Sequence, residues 1–217
     1  LKTPLTRLRN RAEAALAGDG GGNAHREALE QMIADSDQLI RTFNALLMIS
    51  RVESGSSTAQ MSDVDLSGLA ADATELYEPL AEEQGIRLTV NIEPGITIRG
   101  NRELLAQALS NLIDNAIKYA EGAAPPEIAV TLTRARGEVR LAVTDNGPGV
   151  PEDRREDVVK RFVRLDESRS KPGTGLGLSL VQAVTALHGG QLQLHDASPQ
   201  AKDHPGLAVI MVLPGET

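Results

Sequence analysis

The stretch of residues 111–178 contains three motifs in order: NLIDNAIKY (111–119), DNGPG (145–149) and GTGLGL (173–178). Each motif alone is weak evidence. Glycine pairs usually mark turns, and an asparagine pair is often part of a solvated helix face. Their order and spacing, on a predicted helix, a strand end and a second helix start, indicate one site and therefore decide the fold class.

The first motif lies on a helix predicted for residues 102–120. At about 100° per residue, Asn111, Asn115 and Lys118 form a polar stripe, and the other side of the helix is apolar. Neutral amide oxygens can hold Mg²⁺, and a lysine one turn further on can reach phosphate as a point charge. A plain solvated helix face explains the stripe equally well. The apolar side comprises Leu105, Leu109, Leu112, Ile113 and Ala116.

The second and third motifs supply the remaining parts of a nucleotide pocket. Asp145 ends an alternating strand, so its carboxylate can accept a hydrogen bond from an amine such as that of adenine, and Gly147 and Gly149 allow a flat base to approach the backbone. Residues 173–177 precede a helix, whose first N–H groups can meet phosphate oxygens. Ordinary turns are the alternative for both motifs. Taken together, the three motifs predict a site for ATP and Mg²⁺.

The composition limits the classes of protein to which this site can belong. A chain of 217 residues with 41% hydrophobic content has room for one or two domains. Its net charge of -8 argues against nucleic acid as a partner, and the lack of cysteine excludes disulfides and thiolate metal sites. The longest apolar run, at residues 207–213, is too short to span a membrane, so the chain is expected to be soluble and cytoplasmic.

A break at residues 54–63 (linker) separates a helical region at 1–53 from a mixed region at 64–217. Glycines at residues 18–22 end the first helix and allow a hairpin. A lone hairpin has little to pack its stripe against, so we expect two chains to form a four-helix bundle. A monomeric hairpin packed on the second domain is the alternative. Heptad-like steps connect Leu1, Leu5, Leu8, Ala12 and Ala15, and Leu29, Ile33, Ser36, Ile40, Phe43, Leu47 and Ser50.

The region 64–217 has the pattern of an α/β sandwich, a mixed sheet with helices on one face, so the whole chain is of the α+β class. Alternating apolar residues at 128–132 and 139–143 predict a β-hairpin around the turn Arg136-Gly137. Helices are predicted at 65–84, 102–120 and 176–187, and further strands at 86–92, 191–195 and 207–213.

The chain resembles the cytoplasmic core of a bacterial two-component sensor histidine kinase. Its motifs resemble the N box (NLIDNAIKY), the G1 box (DNGPG), the F box (RFVRLD, 161–166) and the G2 box (GTGLGLSL), and LKTPLT at residues 1–6 resembles the end of the H box. The resemblance covers essentially the whole chain. It implies a dimerisation and phosphotransfer hairpin followed by an ATP-binding domain of the Bergerat type, shared with gyrase B, Hsp90 and MutL.

The resemblance also implies roles for individual residues. Asn115 would bind Mg²⁺, Asn111 and Lys118 would lie near the phosphates, Tyr119 along the nucleotide, and Asp145 against the adenine amine. Thr3 would orient water when the protein acts as a phosphatase on its partner. The remaining positions implied to contact or enclose the nucleotide are Gly147, Gly149, Phe162, Arg164, Arg169, Lys171, Gly173, Thr174, Gly175, Leu176 and Gly177.

The sequence departs from the family pattern at its beginning. The phosphoacceptor histidine and the glutamate after it would lie just before Leu1. The histidines that are present, His25, His188, His195 and His204, are predicted to be ordinary surface residues. The implied parent enzyme, anchored in the inner membrane by upstream segments, would phosphorylate a helix histidine and then an aspartate of a response regulator receiver domain.

Two other functions remain open on the residues alone. A nucleotide-gated ATPase of the gyrase B or Hsp90 kind would commonly carry a glutamate as the base for water at the position of Asn111, so the asparagine disfavours hydrolysis. A dimeric scaffold that binds ATP without transferring phosphate is the second alternative.

Overall fold

The computed structural model describes residues 61–120, 123, 125–165, 174–201 and 204–215, and ten separate positions between residues 29 and 50. Thr3, Arg169, Lys171 and Gly173 lie outside these residues, as do the predicted glycine turn and most of the predicted linker.

Within the described residues, seven strands form two sheets. The small sheet pairs β1 (Ser62–Asp65) with β3 (Thr97–Gly100) in antiparallel orientation. The large sheet has five strands in the order β2-β4-β5-β7-β6, of which β2 and β4 are parallel and all other neighbours antiparallel. The predicted mixed sheet is therefore confirmed. The five strands are β2 (Arg87–Ile92), β4 (Glu127–Ala135), β5 (Glu138–Asp145), β6 (Gln191–Asp196) and β7 (Leu207–Pro214).

Three long helices accompany the sheets in the part of the chain from residue 61 onward that the structure describes: α1 (Leu66–Glu83), α2 (Arg102–Ala120) and α4 (Gly177–Leu187). A short α3 (Arg155–Val158) follows a 3₁₀ turn at Glu152–Arg154. Asp65 begins α1 by accepting the N–H of Gly68 through Oδ1 at 2.9 Å. None of the helices in the described ranges is long and apolar enough to cross a membrane.

The helices cover only one face of the large sheet. Along β5, Val139, Leu141 and Val143 are buried, whereas Glu138 and Arg140, which alternate with them, are exposed. Because side chains alternate along a strand, the buried set faces the helices. The same alternation places the last residue of β5, Asp145, on the helix-covered face.

The predicted elements of region 64–217 agree with the structure within three residues at each end, and α2 has the predicted bounds. The small sheet was not predicted. Its strands have four residues each, and β1, with the sequence SDVD, has a single apolar residue. This strand begins at Ser62, inside the range predicted as a linker.

The predicted hairpin is described at separate positions only, and each of these is helical. Ile49 is buried in the hydrophobic core and Leu46 packs against it. The larger apolar residues of the predicted seam that the structure describes are instead exposed in the single chain, which leaves an apolar surface to be covered. They are Leu29 (56% exposed), Ile33 (62%), Ile40 (53%), Phe43 (54%) and Leu47 (41%).

Candidate functional site

Asp145 is a buried carboxyl group at the end of β5, with only 7% of the residue exposed. Its Oδ1 accepts the N–H of Gly147 at 2.9 Å, and the backbone of Leu207 also donates to it. Burial raises the pKa of Asp145 to about 6, and the two backbone hydrogen bonds offset only part of that rise. A buried acceptor with a raised pKa is a common feature of binding and catalytic sites.

The loop after Asp145 packs directly on the end of α2. A Cβ atom on Gly147 would lie 2.3 Å from the carbonyl oxygen of Tyr119, so only glycine fits there. The side chain of Asn146 fixes the same loop from the other side. Its Oδ1 accepts the N–H of Glu127 at 2.8 Å, and its Nδ2 donates to the carbonyl of Pro125 at 2.7 Å. The second motif is thereby held against the first.

Gly206, which lies outside the three motifs, packs against this loop. Gly149 has a φ of +74°, and a Cβ there would lie 2.8 Å from the carbonyl oxygen of Gly206. The N–H of Gly206 donates to the carbonyl of Gly147 at 3.0 Å. The sequence prediction missed Gly206. Its only local signal is the Pro205-Gly206 turn before β7.

The polar stripe of α2 faces the start of α4. Asn111, Asn115 and Lys118 are all half-buried. A Cβ on Gly177, the first residue of α4, would lie 3.3 Å from both Oδ1 of Asn111 and Nδ2 of Asn115. The first and third motifs are therefore in contact. Asn111 also donates through Nδ2 to the carbonyl of Gln107, one turn earlier, at 2.8 Å.

Lys118 and Tyr119 form a pair at the end of the same helix. The Nζ atom of Lys118 donates to the Tyr119 hydroxyl at 3.3 Å and lies 4.7 Å from the centroid of its ring. This distance is within the range of a cation–π contact. A positive charge is thus held beside the stripe that carries the two amides.

The glycine-rich turn before α4 is hydrogen-bonded to the beginning of the F box. Gly175 has a φ of +70°, and its carbonyl accepts the N–H of Phe162 at 2.8 Å. Oγ1 of Thr174 accepts the N–H of Leu176 at 3.2 Å, and Leu176 is buried. No side chain caps the start of α4, which is the end that the positive pole of the helix dipole occupies.

Phe162 is in an unusual conformation for a non-glycine residue. Its φ is +64° and its side chain is 54% exposed. Such a backbone costs on the order of 1 kcal/mol or more and persists only where the surroundings impose it. Gly175 packs closely against this backbone, because a Cβ atom on Gly175 would lie 2.9 Å from the carbonyl carbon of Phe162.

Arg155 is a further loop anchor that the sequence did not suggest. Its Nε donates to the carbonyl of Val150 at 3.1 Å, and its guanidinium contacts the Asp196 carboxylate at 2.5 Å. The contact joins α3 to the end of β6, so it fixes the chain that follows the DNGPG loop. Both ends of that loop therefore have anchors.

The polar side chains of the site suit a Mg²⁺ ion that is bound mainly by the phosphates of a nucleotide. Among the described residues there is no group of three or more His, Asp or Glu side chains that could hold a metal by itself. Mg²⁺ commonly takes one or two protein ligands, with phosphate and water supplying the rest. The Asn115 amide, beside Asn111 and the start of α4, suits that arrangement.

The prediction that His188 is a surface residue is wrong. Only 8% of His188 is exposed, and both ring nitrogens have backbone partners within the domain. The Gly-Gly sequence after it suggested an exposed helix end, but Gly100 and Asn101 pack against the imidazole at the end of α4. His195 and His204 are exposed as predicted, and His25 lies outside the described residues.

Comparison with known proteins identifies the family. Residues 100–217 match the family described as histidine kinase-, DNA gyrase B- and HSP90-like ATPase. The chain is 32% identical over 196 residues to the sensor-like histidine kinase SenX3 of Mycolicibacterium smegmatis, covering 89% of this chain and 50% of that protein. It is 34% identical over 225 residues to the signal transduction histidine-protein kinase/phosphatase MprB of Mycobacterium sp. strain KMS, covering 99% of this chain and 42% of MprB.

Solved structures agree with these relatives. A structure of the mycobacterial sensor histidine kinase MprB superposes with a TM-score of 0.62 at 33% identity, covering 72% of this chain and 98% of that one. Full-length ShkA in complex with AMPPNP superposes with a TM-score of 0.72 at 25% identity, covering 100% of this chain and 46% of ShkA. The chain spans half or less of the length of its sequence relatives. It belongs to the histidine kinase-, DNA gyrase B- and HSP90-like ATPase family, and within that family it is a sensor histidine kinase core.

Proposed function

We propose that this chain binds Mg-ATP and acts as the catalytic core of a protein histidine kinase. The γ-phosphoryl group would pass to a histidine on the first hairpin helix and then to an aspartate of a response regulator. The observation that carries the proposal is the mutual contact of the three motifs: Gly147 lies against Tyr119, and Gly177 lies against Asn111 and Asn115.

Adenine recognition is assigned to Asp145. A buried carboxylate accepts a hydrogen bond from an exocyclic amine, and a base with a carbonyl at that position offers it no proton. A hydrogen bond to a charged group contributes about 1.5 to 3 kcal/mol, enough to distinguish the two bases. Gly147 and Gly149 keep this side of the pocket free of side chains.

The phosphate end is assigned to α2 and α4. Asn115 would hold Mg²⁺, with Asn111 beside it, and Lys118 would supply positive charge. Bound Mg²⁺ neutralises charge that develops on the transferred phosphoryl group. The N–H groups of Gly175 and Gly177 would face phosphate oxygens, and Phe162 holds their turn in place.

Transfer rather than hydrolysis is favoured by Asn111. An amide cannot take a proton from water, so this position lacks the base that a hydrolytic relative of the gyrase B kind would use. Phosphoryl transfer to a histidine instead depends on positioning and charge neutralisation. Mg-ATP turnover without an acceptor histidine is therefore expected to be slow.

Assembly and partners follow from the same proposal. The exposed apolar side chains of the predicted seam would pair two chains into a four-helix bundle, with a receiver domain docking there. Thr3 would orient water during dephosphorylation of the receiver. The core would operate in the cytoplasm, and the parent protein would be anchored in the inner membrane.

The decisive experiment separates binding from phosphotransfer. The chain beginning at Leu1 should bind ATP and acquire no acid-labile label from radiolabelled ATP. Extending it upstream with His-Glu and a few helical residues should restore labelling, and Asn115→Ala in the extended chain should abolish it. Labelling of the unextended chain would identify one of its own histidines as the acceptor and refute the proposed acceptor position. Hydrolysis of ATP by either form without labelling would favour the ATPase alternative.

A further inference from the structure

His188 connects the C-terminal end of α4 to the N-terminal end of α2. These are the helix ends that lie away from the proposed nucleotide site. It follows the last residue of α4, and its Nδ1 bonds to the carbonyl of Val184 at 2.7 Å. Its Nε2 accepts the backbone N–H of Asn101, directly before α2, at 3.0 Å. Since Nε2 accepts, the ring proton is on Nδ1, so one neutral imidazole satisfies both helices. Burial lowers the pKa of His188 and favours this neutral form.

Asn101 is the residue that defines where α2 begins. Its Oδ1 accepts the N–H of Leu104 at 3.1 Å, and its carbonyl accepts the N–H of Leu105 at 3.0 Å. Its own N–H goes to His188. The imidazole therefore holds the capping residue of α2, and any displacement of the ring moves the start of that helix.

Gly100 shows how closely the chain approaches the imidazole. A Cβ on Gly100 would lie 2.9 Å from Cδ2 and 3.0 Å from Nε2 of His188, and 2.9 Å from Cδ1 of Leu105. Such distances require neighbouring atoms to move. The absence of a side chain at residue 100 is what lets the hydrogen bond between the Asn101 N–H and His188 form.

α4 packs against α2, and a specific contact lies at each end of α4. At one end His188 of the α4 terminus holds Asn101. At the other end Gly177 lies against the amides of Asn111 and Asn115. An α4 of 11 residues spans about 16 Å and behaves as a rigid element over that length. A shift at one contact is therefore carried to the other.

We propose that His188 is a positioning residue for the Mg²⁺ and phosphate end of the nucleotide site. By fixing the C-terminus of α4 to the start of α2, it sets the distance between the Gly177 backbone and the two N-box amides. The adenine end is built on β5 and its loop, so it does not depend on this contact. The inference rests on the proposed function, because it concerns the same nucleotide.

Two isosteric substitutions test the bridge. Gln at residue 188 places an amide oxygen near the Nε2 position and can keep the Asn101 contact, whereas Asn reaches only the Nδ1 position and keeps the Val184 contact. We expect His188→Asn to weaken binding of a Mg²⁺-loaded fluorescent ATP analogue by about 2- to 30-fold, the range for mutations that act through packed elements. Binding of ADP in EDTA should be unchanged. His188→Gln should match the wild type with both ligands.

Controls separate positioning from loss of stability. Leu88→Ala removes a core-packed side chain on β2, far from both helix contacts, and should lower the melting temperature without changing either affinity. Gly100→Ala disturbs the hydrogen bond between His188 and Asn101 from the other side, so it should reproduce the binding defect of His188→Asn. It therefore replaces His188→Asn in the test if the His188 variant does not fold.

The outcomes separate the two proposals. Equal affinities for His188→Asn and His188→Gln, or equal loss of ADP and Mg-ATP analogue binding in His188→Asn, would overturn the positioning role alone. A wild-type chain that binds neither ligand would instead overturn the proposed function.

Discussion

The backbone of Gly147 lies against the carbonyl oxygen of Tyr119, at a distance that leaves no room for a side chain on residue 147. The contact joins the loop after β5 to the last turn of α2. It fixes the position of Asp145, which accepts the Gly147 N–H, relative to Lys118 and the N-box amides. The adenine and phosphate ends of the proposed site are therefore joined by this backbone contact.

Gly147→Ala should damage the site through this contact. The new Cβ would lie 2.3 Å from the Tyr119 oxygen, so the loop must move and take the Asp145 hydrogen bond with it. Overpacking of this kind costs about 1 to 3 kcal/mol of stability. Isothermal titration with ADP should show weaker binding, and thermal unfolding should show a lower midpoint.

A second glycine provides the control for that substitution. Gly95 has a φ of +73° but no atom within 4 Å of an added Cβ. Gly95→Ala should cost about 1 to 2 kcal/mol of stability through backbone strain and leave ADP affinity unchanged. If Gly147→Ala binds ADP as tightly as Gly95→Ala, the contact does not shape the site.

Asn115→Ala and Asp145→Asn should produce different defects. Loss of the amide removes a metal ligand, so Asn115→Ala should weaken ATP binding in Mg²⁺ and leave binding in EDTA unaffected. The Asp145 substitution replaces the acceptor for the adenine amine, so it should weaken ATP and ADP alike with or without metal. Titration of each variant under both conditions measures the split, and wild-type affinity in both variants would contradict the assigned pocket.

Acidification should weaken adenine nucleotide binding through Asp145. Its pKa is about 6, so the carboxyl group is mostly ionised at pH 7 and mostly protonated at pH 5. Binding to the amine favours the ionised form, so below the pKa affinity should fall by up to about tenfold per pH unit.

The comparison variant for this titration is Asp145→Asn, which has no carboxyl group to protonate. The phosphates of the nucleotide titrate equally in both proteins, so the ratio of their dissociation constants isolates the contribution of residue 145. A ratio that is constant between pH 7 and pH 5 would show that the Asp145 carboxyl group does not contact the base.

Local sequence patterns were sufficient to predict most of the helices and strands of this fold. The apolar spacing in α2 predicted its bounds, and alternation along β5 placed Asp145 at a strand end. These signals come from neighbours in sequence, since helix and strand periodicity are set within a few residues. The site motifs could therefore be assigned to elements before any contact between the elements was known.

Contacts between distant segments could not be predicted in the same way. His188 bonds to Asn101 and Arg155 to Asp196, and neither sequence neighbourhood indicates its partner. The strands β1 and β3 are stable as a pair, although neither has a strong pattern of its own. Such features depend on tertiary packing, which overrides the local preference of short segments.

Phe43→Glu should separate two chains without affecting the nucleotide site. Phe43 is 54% exposed in the single chain, among the other exposed apolar residues of the predicted seam, so pairing would bury it and a glutamate would have to lose its hydration. An unpaired buried charge costs several kcal/mol, which is enough to shift a dimer at micromolar concentration to monomer. Light scattering should give a dimer mass for the wild type and a monomer mass for the variant, with equal ADP affinity. Leu76→Glu is the matched control: Leu76 is 75% exposed on α1, outside the seam, so the same change there should leave the dimer mass intact. A wild-type monomer, or equal masses for the two variants, would exclude the bundle.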